Sequence, residues 1–292
     1  MGQLNLFGFR PETVYPRPYR PFLTISQNGK GVVDCDTVKG CTVGMAKYPA
    51  GGCYGECYAY KTAHRYGLNF RTSITRRITP QLFGGCFSFI ARHPASWYRI
   101  GTAGDPSHDW ENTITVCEAL RSTRKVPVII TKHWVALTED QLLRLKSLSA
   151  VVNTSTSGMD TDQEIKHRVR QIIRIKHAGL TSVCRVVTCE FGKSEWAKDC
   201  QAKQNFLLSF DDVIDNPFRA SKNNVRVLAG EIVLTHKPAS RGGGGKYISL
   251  HDESVYLGTC TGCPDQCGVK TKQGGVTCRK SNYSRKQLSL YT

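Results

Sequence analysis

From residue 97 to residue 233 the chain alternates short apolar runs with longer amphipathic stretches, and this alternation limits its fold more than any other feature. Short runs rich in Val and Ile favour strands, whereas apolar residues that recur every three or four positions favour helices. Strands that alternate with helices predict parallel βαβ units. The predicted strands are 97–101, 126–131, 150–156, 182–188 and 225–233. The predicted helices are 111–123, 138–148, 162–179 and 194–210, with Thr138 as an N-cap and Gly179 as a C-cap.

The spacing of these elements predicts an α/β fold with three regions. Strands begin again every roughly 25–40 residues, which suits a partial (β/α)6 TIM-like barrel over 31–235 better than an open sheet, although spacing alone does not separate the two. Residues 1–30 are rich in Pro, Arg and aromatic residues and are expected to form an extended arm. Residues 236–292 contain a glycine-rich hinge, four cysteines and a basic tail, and are expected to form a cysteine-rich, metal-binding appendage.

The composition indicates which cellular compartment and which class of partner to expect for this chain. Forty Lys and Arg residues against 23 Asp and Glu give a net charge of +17, which favours nucleic acid as a partner, although a basic surface can also serve solubility alone. The chain contains no run of 18 apolar residues and no secretory signal pattern, so we expect a cytoplasmic protein without membrane association. In that reducing compartment the 13 cysteines favour metal binding over disulfides.

Three cysteines are gathered in 40–61, "GCTVGMAKYPAGGCYGECYAYK", a segment that we expect to follow the first strand of the barrel, upstream of the five strands given above. Cys41, Cys53 and Cys57 have the spacing C-x11-C-x3-C, and thiolates in threes or fours select zinc or an iron–sulfur cluster. Polar residues also follow the later strands, in "GTAGDPSHDW", "TKHW", "NTSTSG" and "RVVTCE". Since barrel enzymes carry their active sites at the carboxyl ends of the strands, these segments are expected to meet at one site.

This arrangement resembles the radical S-adenosylmethionine (SAM) superfamily, in particular a phage-associated branch with a variant GC…GCxxxCYA motif, similar to the photoproduct-lyase-like group. The usual superfamily motif is C-x3-C-x2-C, but here Tyr60 stands three positions after Cys57. The third ligand must come from elsewhere in the chain. We choose Cys41, with Cys35 as the alternative. The resemblance covers roughly 38–235.

The resemblance implies a [4Fe–4S] cluster on Cys41, Cys53 and Cys57, with one open iron that chelates SAM. An external electron donor such as a flavodoxin or ferredoxin would reduce the cluster, and SAM would then yield a 5′-deoxyadenosyl radical that abstracts a hydrogen atom. The resemblance also implies a SAM pocket at the strand ends. Its residues would be Gly104, Asp105, Lys132, Asn153, Ser155, Ser157 and Arg185.

A second cysteine group follows near the C-terminus. Cys260, Cys263, Cys267 and Cys278 have the spacing C-x2-C-x3-C-x10-C, and four thiolates in so short a segment indicate a metal site. A second [4Fe–4S] cluster and a structural zinc ion both fit this spacing. Zinc sites of this kind often contact nucleic acid.

Candidate catalytic side chains lie among the same strand ends. Cys189 follows a predicted strand and is a candidate for a thiyl radical or hydrogen-atom donor. His108, Asp109 and His133 are candidate acid–base groups, although a lone His in such a loop is more often structural. Four further cysteines are expected to be ordinary buried thiols, namely Cys86, Cys117, Cys184 and Cys200.

These observations predict a radical SAM enzyme that modifies or rearranges a nucleic-acid base, with DNA favoured because the motif is of a phage type. One alternative is a radical SAM enzyme that acts on a peptide or a small metabolite. Another is a non-enzymatic zinc protein that binds nucleic acid. The sequence does not fix the substrate or the oligomeric state.

Overall fold

The computed structural model of the chain describes residues 17–236 and 247–270, which form a mixed α/β structure around a mostly parallel sheet. The strands are β1 (Ile25–Gln27), β2 (Val33–Cys35), β3 (Val38–Lys39), β4 (Ile74–Thr75), β5 (Trp97–Ile100), β6 (Val126–Thr131), β7 (Val151–Ser157), β8 (Thr181–Thr188), β9 (Glu190–Phe191), β10 (Val213–Ala220), β11 (Ile232–Val233) and β12 (Tyr247–Ser249). The helices are α1 (Thr42–Lys47), α2 (Tyr58–Arg65), α3 (Pro80–Arg92), α4 (Trp110–Ala119), α5 (Glu139–Ser147), α6 (Asp162–His177), α7 (Glu195–Leu208) and α8 (Val225–Leu228).

The main sheet has eight strands in the order β1-β2-β5-β6-β7-β8-β10-β12. The six strands from β2 to β10 in this order are parallel, and each pairs with the next parallel strand along the chain. The two edge strands, β1 and β12, are antiparallel to their neighbours. A parallel pair needs a crossover connection, and α3 to α7 supply these crossovers.

Local sequence signals explain where the helices begin. Thr138 and Thr161 each form a capping box with the residue three positions later, at the starts of α5 and α6. Ser194 caps α7 through a hydrogen bond to the Ala197 amide. The four helices predicted from the sequence are therefore present, and so are the four predicted strands that precede residue 190.

The predicted strand over 225–233 is wrong. Asn224 caps the short helix α8, Gly230 follows it at φ +67°, and only Ile232–Val233 is extended. The sixth parallel strand is β10 instead, which pairs with β8. Its centre contains Asp, Asn and Pro, which are depleted in strands, so the propensity signal for this element is weak.

The sheet has two apolar faces with different partners. On the first, which we call the helix face, Ile100, Ile129 and Val152 pack against α3, α4 and α5, and Cys184 and Val186 pack against α6 and α7. We call the opposite surface the inner face. Its buried apolar cluster contains no residue of the crossover helices α3 to α7. Its buried members are Val32, Trp97, Val128, Val151, Val183 and Ile214, together with Cys267 and Val269 from the C-terminal segment.

The described parts of the two terminal segments, 17–30 and 247–270, lie against the body of the fold. Residues 17–22 run beside 66–77, where the Arg17 amide donates to the Gly67 carbonyl at 2.8 Å, and Ile25–Gln27 is already an edge strand. The C-terminal cysteine segment covers part of the inner face. Four parts of the sequence-based prediction lie outside the described residues: the arm before residue 17, the glycine-rich segment, Cys278 and the basic tail.

Candidate functional site

Cys41, Cys53 and Cys57 lie together near the carboxyl edge of the parallel sheet. Cys41 is the N-cap of α1, and its Sγ accepts a hydrogen bond from the Gly44 amide at 3.3 Å. Cys57 is the N-cap of α2, and its Sγ accepts a hydrogen bond from the Tyr60 amide at 3.5 Å. Two of the three thiols thus receive amide hydrogen bonds, which favour negative charge on sulfur.

Two glycines leave the space between these thiols free. A Cβ on Gly44 would lie 2.8 Å from Cys41 Sγ and 3.5 Å from Cys53 Sγ, so both sulfur atoms border the same small volume. A Cβ on Gly52, where φ is +73°, would lie 2.5 Å from the Cys57 Cβ and 3.4 Å from its Sγ. A side chain at either position would occupy the space that the thiols border.

Burial disfavours the thiolate form of two of these thiols, Cys41 and Cys53. Burial raises the pKa of Cys41 to about 12, and Asp105 adds to this effect. Burial also raises the pKa of Cys53 to about 11, although the Lys132 ammonium acts in the opposite direction. A coordinated metal would displace these protons, since a coordinating thiol is deprotonated outright.

Cys35, the alternative third ligand, lies elsewhere. Its side chain is fully buried on the helix face with Tyr98 and Ile100, and the thiols of Cys117 and Cys86 are nearby. The structure therefore brings Cys41, and not Cys35, to Cys53 and Cys57.

A network of buried charges lies next to Cys53. The Asp160 carboxylate accepts a hydrogen bond from the Tyr54 hydroxyl at 2.7 Å, and it forms ion pairs with Lys132 at 3.6 Å and with Arg168. The Lys132 ammonium also donates to the Tyr54 hydroxyl at 2.6 Å. Burial alone would raise the pKa of Asp160, but Arg168 and Lys132 hold it well below its ordinary value.

This network ties the cysteine loop to the sheet and to α6. Glu164 pairs with Arg168 at 3.3 Å and with Lys47 of α1 at 2.9 Å. Tyr54, which has φ +57°, also packs edge-on against Phe218 of β10, with ring centroids 6.2 Å apart. Tyr54, the neighbour of Cys53 in the chain, is thus held by Asp160, Lys132 and Phe218.

Sequence reasoning missed Tyr54, Asp160 and Arg168. One signal for them was present, because Arg168 follows Ile165 by three residues and precedes Ile172 by four. It therefore belongs to the apolar side of the predicted helix, where a charged side chain requires a buried partner.

Gly104 and Asp105, expected to contact SAM, hold strand ends together beside the cysteine loop. A Cβ on Gly104 would lie 2.4 Å from the Val38 carbonyl oxygen, and Gly104 forms a β-bridge with Gly40. The buried Asp105 carboxylate is saturated by internal hydrogen bonds. These come from the Ser107 amide at 2.9 Å, the Thr131 hydroxyl at 2.7 Å and the Lys132 amide at 2.7 Å.

Four other predicted SAM-binding residues, Asn153, Ser155, Ser157 and Arg185, lie on one face of β7 and β8. Ser155 pairs in register with Arg185, and both side chains are half-buried on the inner face. Ser157 is fully buried and donates to the Val187 carbonyl at 2.8 Å. Asn153 is fully buried and donates to the Cys267 carbonyl at 2.9 Å. Of this set, Ser155 and Arg185 remain partly open to a ligand, whereas the Lys132 ammonium is engaged in the charge network.

The candidate acid–base residues and Cys189 are buried, half-buried or part of a helix cap. Burial lowers the pKa of His133 to about 3, and His133 bonds through Nε2 to Thr154 at 3.1 Å, so it is a neutral buried residue. Asp109 caps α4. His108 is half-buried, and burial lowers its pKa. The side chain of Cys189, the candidate hydrogen-atom donor, is fully buried in an apolar cluster.

The structure and the comparisons name no ligand. Within 17–236 and 247–270, no three side chains of His, Cys, Asp or Glu converge on a point that a single metal ion could occupy. In the same ranges no helix is long and apolar enough to cross a membrane. Comparison of the chain with family models, with curated proteins and with solved structures finds no match.

Proposed function

We propose that this chain is a radical SAM enzyme that holds a [4Fe–4S] cluster on Cys41, Cys53 and Cys57. The observation that carries the proposal is the meeting of these three thiols beside the carboxyl edge of six consecutive parallel strands. In a (β/α) barrel, neighbouring strands of the sheet follow one another along the chain. The six parallel strands have this order, which supports a partial (β/α)6 barrel with its site at the carboxyl edge.

The residues around the thiols suit such a cluster. A cube binds its thiolates on separate irons, so three thiols around a shared space fit it better than three thiols around one point. The amides of Gly44 and Tyr60 donate to two of the sulfur atoms, and hydrogen bonds of this kind tune cluster potential. The two glycines at 44 and 52 keep the space open. When bound and reduced by an external donor of the flavodoxin or ferredoxin type, the cluster would supply radical cleavage of SAM.

The protein residues have separate tasks in this proposal. Lys132, Asp160 and Tyr54 hold the cysteine loop against the sheet and keep water from the Cys53 side. Ser155 and Arg185 offer a hydroxyl and a guanidinium on the inner face below the loop. These groups suit a polar, negatively charged ligand such as the SAM carboxylate or a substrate phosphate.

A basic strip beside the cysteines supports a nucleic-acid substrate. The strip consists of 17–22 and 65–77, which are joined by backbone hydrogen bonds. It flanks the site because the Cys41 amide donates to the Phe70 carbonyl at 2.9 Å. Its exposed arginines are Arg17, Arg20, Arg65, Arg71 and Arg77. Phe22 and Tyr66 are 50% and 62% exposed in the same strip, and aromatic rings among cations are typical of surfaces that bind single-stranded nucleic acid.

The proposal is tested by anaerobic reconstitution with iron and sulfide, followed by incubation with SAM and dithionite. We expect 5′-deoxyadenosine from the full chain and none from Cys53→Ala. Cys86→Ala, which removes a buried thiol from α3, is the matched control and should retain product formation. Equal product from both variants would refute the proposal.

A further inference from the structure

Three neighbouring strands of the main sheet carry polar side chains that are not fully covered on the inner face. Ser155 of β7 pairs in register with Arg185 of β8, and the Arg185 guanidinium donates to the side-chain oxygen of Asn216 in β10 at 2.9 Å. All three residues are half-buried, whereas every other residue of β7 is buried. Strands inside a parallel sheet are normally covered on both faces, so this polar row marks a place where a ligand can approach the sheet.

Two further cations approach this row from other parts of the chain. Lys30 lies in the turn before β2, Arg219 lies near the end of β10, and both are half-buried. Burial lowers the pKa of Lys30, and the charges of Arg219 and Arg185 lower it further. Burial and the charge of Arg185 likewise lower the pKa of Arg219. These mutual effects show that Lys30, Arg185 and Arg219 are close in space, and we call them the inner-face cations.

No carboxylate neutralises the inner-face cations. Within 17–236 and 247–270, none of the three forms an ion pair, and neither Lys30 nor Arg219 donates a side-chain hydrogen bond. The Asp34 carboxylate of β2 is already bound by Arg99 through two hydrogen bonds, at 2.9 Å and 3.3 Å. Half-buried positive charges without a counterion are costly, so an anion would stabilise this part of the inner face.

We propose that Lys30, Arg185 and Arg219 bind a phosphate group on the inner face, with the Ser155 hydroxyl and the Asn216 amide beside it. A phosphate carries up to two negative charges, and guanidinium groups bind its oxygens in a bidentate manner. A carboxylate would offset only one of the three positive charges. The binding of phosphate does not require the proposed reaction, but the assignment of this phosphate to the substrate rests on the proposed function.

The position of the polar row suits a substrate that carries a phosphate. Ser155 precedes the last residue of β7 by two positions, so the row lies about 7 Å along the strand from the carboxyl edge. The first three cysteines lie near that edge. A phosphate held at the row leaves the remainder of a nucleotide to extend toward the strand ends, whether the nucleotide is free or part of a nucleic-acid strand.

The first test measures binding in the absence of SAM, by isothermal titration calorimetry at low salt. The probes are deoxycytidine 5′-monophosphate, the nucleoside deoxycytidine and a short single-stranded oligonucleotide. We expect the monophosphate to bind more tightly than the nucleoside, because only the monophosphate offsets the inner-face cations. Tighter binding of the oligonucleotide than of the monophosphate would identify a nucleic-acid strand as the source of the phosphate, and the reverse would identify a free nucleotide. Equal binding of the monophosphate and the nucleoside, or binding of neither, would overturn the proposal.

The second test locates the phosphate with Arg219→Gln. This variant should bind the monophosphate roughly tenfold more weakly, the loss expected for one charge-assisted hydrogen bond. The matched control is Arg144→Gln, which removes the same charge from a half-buried arginine that pairs with Glu111 and Glu118 instead. Circular dichroism establishes that both variants fold. Equal affinities of the two folded variants for the monophosphate would overturn the proposal.

Stability separates phosphate binding from a structural role of Arg219. In urea titrations without phosphate, Arg219→Gln should be at least as stable as the unchanged chain, because it removes a half-buried charge without a counterion. Inorganic phosphate should stabilise the unchanged chain more than the variant, since a ligand stabilises the state that binds it. These measurements use neither cluster nor SAM, so their failure is distinct from a failure to form 5′-deoxyadenosine. A less stable variant that phosphate stabilises as much as the unchanged chain would show that Arg219 supports the fold and binds no phosphate.

Discussion

Asp160 holds two buried cations, Lys132 and Arg168, beside Cys53. Asp160→Asn would leave both cations without their shared counterion, and breaking a buried pair in this way costs about 3–5 kcal/mol. We expect a loss of that size in the free energy of unfolding, measured by urea titration. Glu139→Gln breaks a pair between exposed residues, Glu139 and Arg174, and should cost less than about 1 kcal/mol.

A similar small loss in both variants would show that Asp160 is not the anchor of the cysteine loop. In that case water or another group would compensate the two cations, and the loop would depend on Tyr54 packing alone.

Single residues differ in how well the sequence reveals them. Cys41, Cys53 and Cys57 stand out because three closely spaced thiols among glycines are a typical metal-binding pattern. Asp160 does not stand out, because a carboxylate after a strand is also an ordinary loop residue. Its importance depends on Arg168 reaching it from α6, which only the packed structure shows.

At the level of elements, the cysteine loop depends on its glycines. Gly52→Ala would place a Cβ 2.5 Å from the Cys57 Cβ at a φ of +73°, so the loop must shift and the thiols must separate. We expect Gly52→Ala to lose most of the iron bound by Cys41, Cys53 and Cys57. The measurement is iron content after reconstitution. The chain carries Cys267→Ser as well, so that the C-terminal cysteine group does not contribute iron.

Gly67→Ala separates backbone strain from steric clash. Gly67 has φ +61°, but a Cβ there would meet nothing within 4 Å. This variant should lose about 1–2 kcal/mol of stability and keep its iron. If both variants retain iron equally, the close approach at Gly52 does not shape the site.

The elements themselves were predictable where two signals agreed. The helices α5 and α6 have capping residues and an amphipathic period, and both were found. β10 was missed because Asp215, Asn216 and Pro217 interrupt its apolar pattern. The stretch after Asn224 was mistaken for a strand because its valines favour strands, whereas its cap and Gly230 define a single helical turn.

For the whole molecule, the net charge of +17 predicts salt-dependent binding to nucleic acid. If the basic strip contacts phosphates, the logarithm of the affinity should fall with the logarithm of salt concentration by about 0.9 per contact for duplex DNA and about 0.7 for single strands. Changing both Arg65 and Arg71 to Gln should reduce the slope by about one to two units. The measurement is fluorescence anisotropy with labelled oligonucleotides across a salt series.

Arg121→Gln removes a charge outside the strip and should reduce the slope less. An equal reduction of the salt slope in both variants would mean that binding depends on the overall positive charge and not on the basic strip. No binding at low salt would remove nucleic acid as the substrate class.

The order of the sheet follows from the sequence, since successive parallel strands joined by helices usually pair with their neighbours. The position of the C-terminal segment does not follow from it. Its cysteines indicate a metal site, but no local pattern shows that Cys267 packs against β7 and β8 rather than standing apart from the sheet.

In the proposed site, Cys41 provides the third cluster ligand beside Cys53 and Cys57. This assignment is tested by 5′-deoxyadenosine formation in Cys41→Ala and Cys35→Ala, both reconstituted without air and shown to fold by circular dichroism. We expect no product from Cys41→Ala and retained product from Cys35→Ala, because Cys35 lies on the helix face. Product from Cys41→Ala together with its loss in Cys35→Ala would show that Cys41 is not the third ligand.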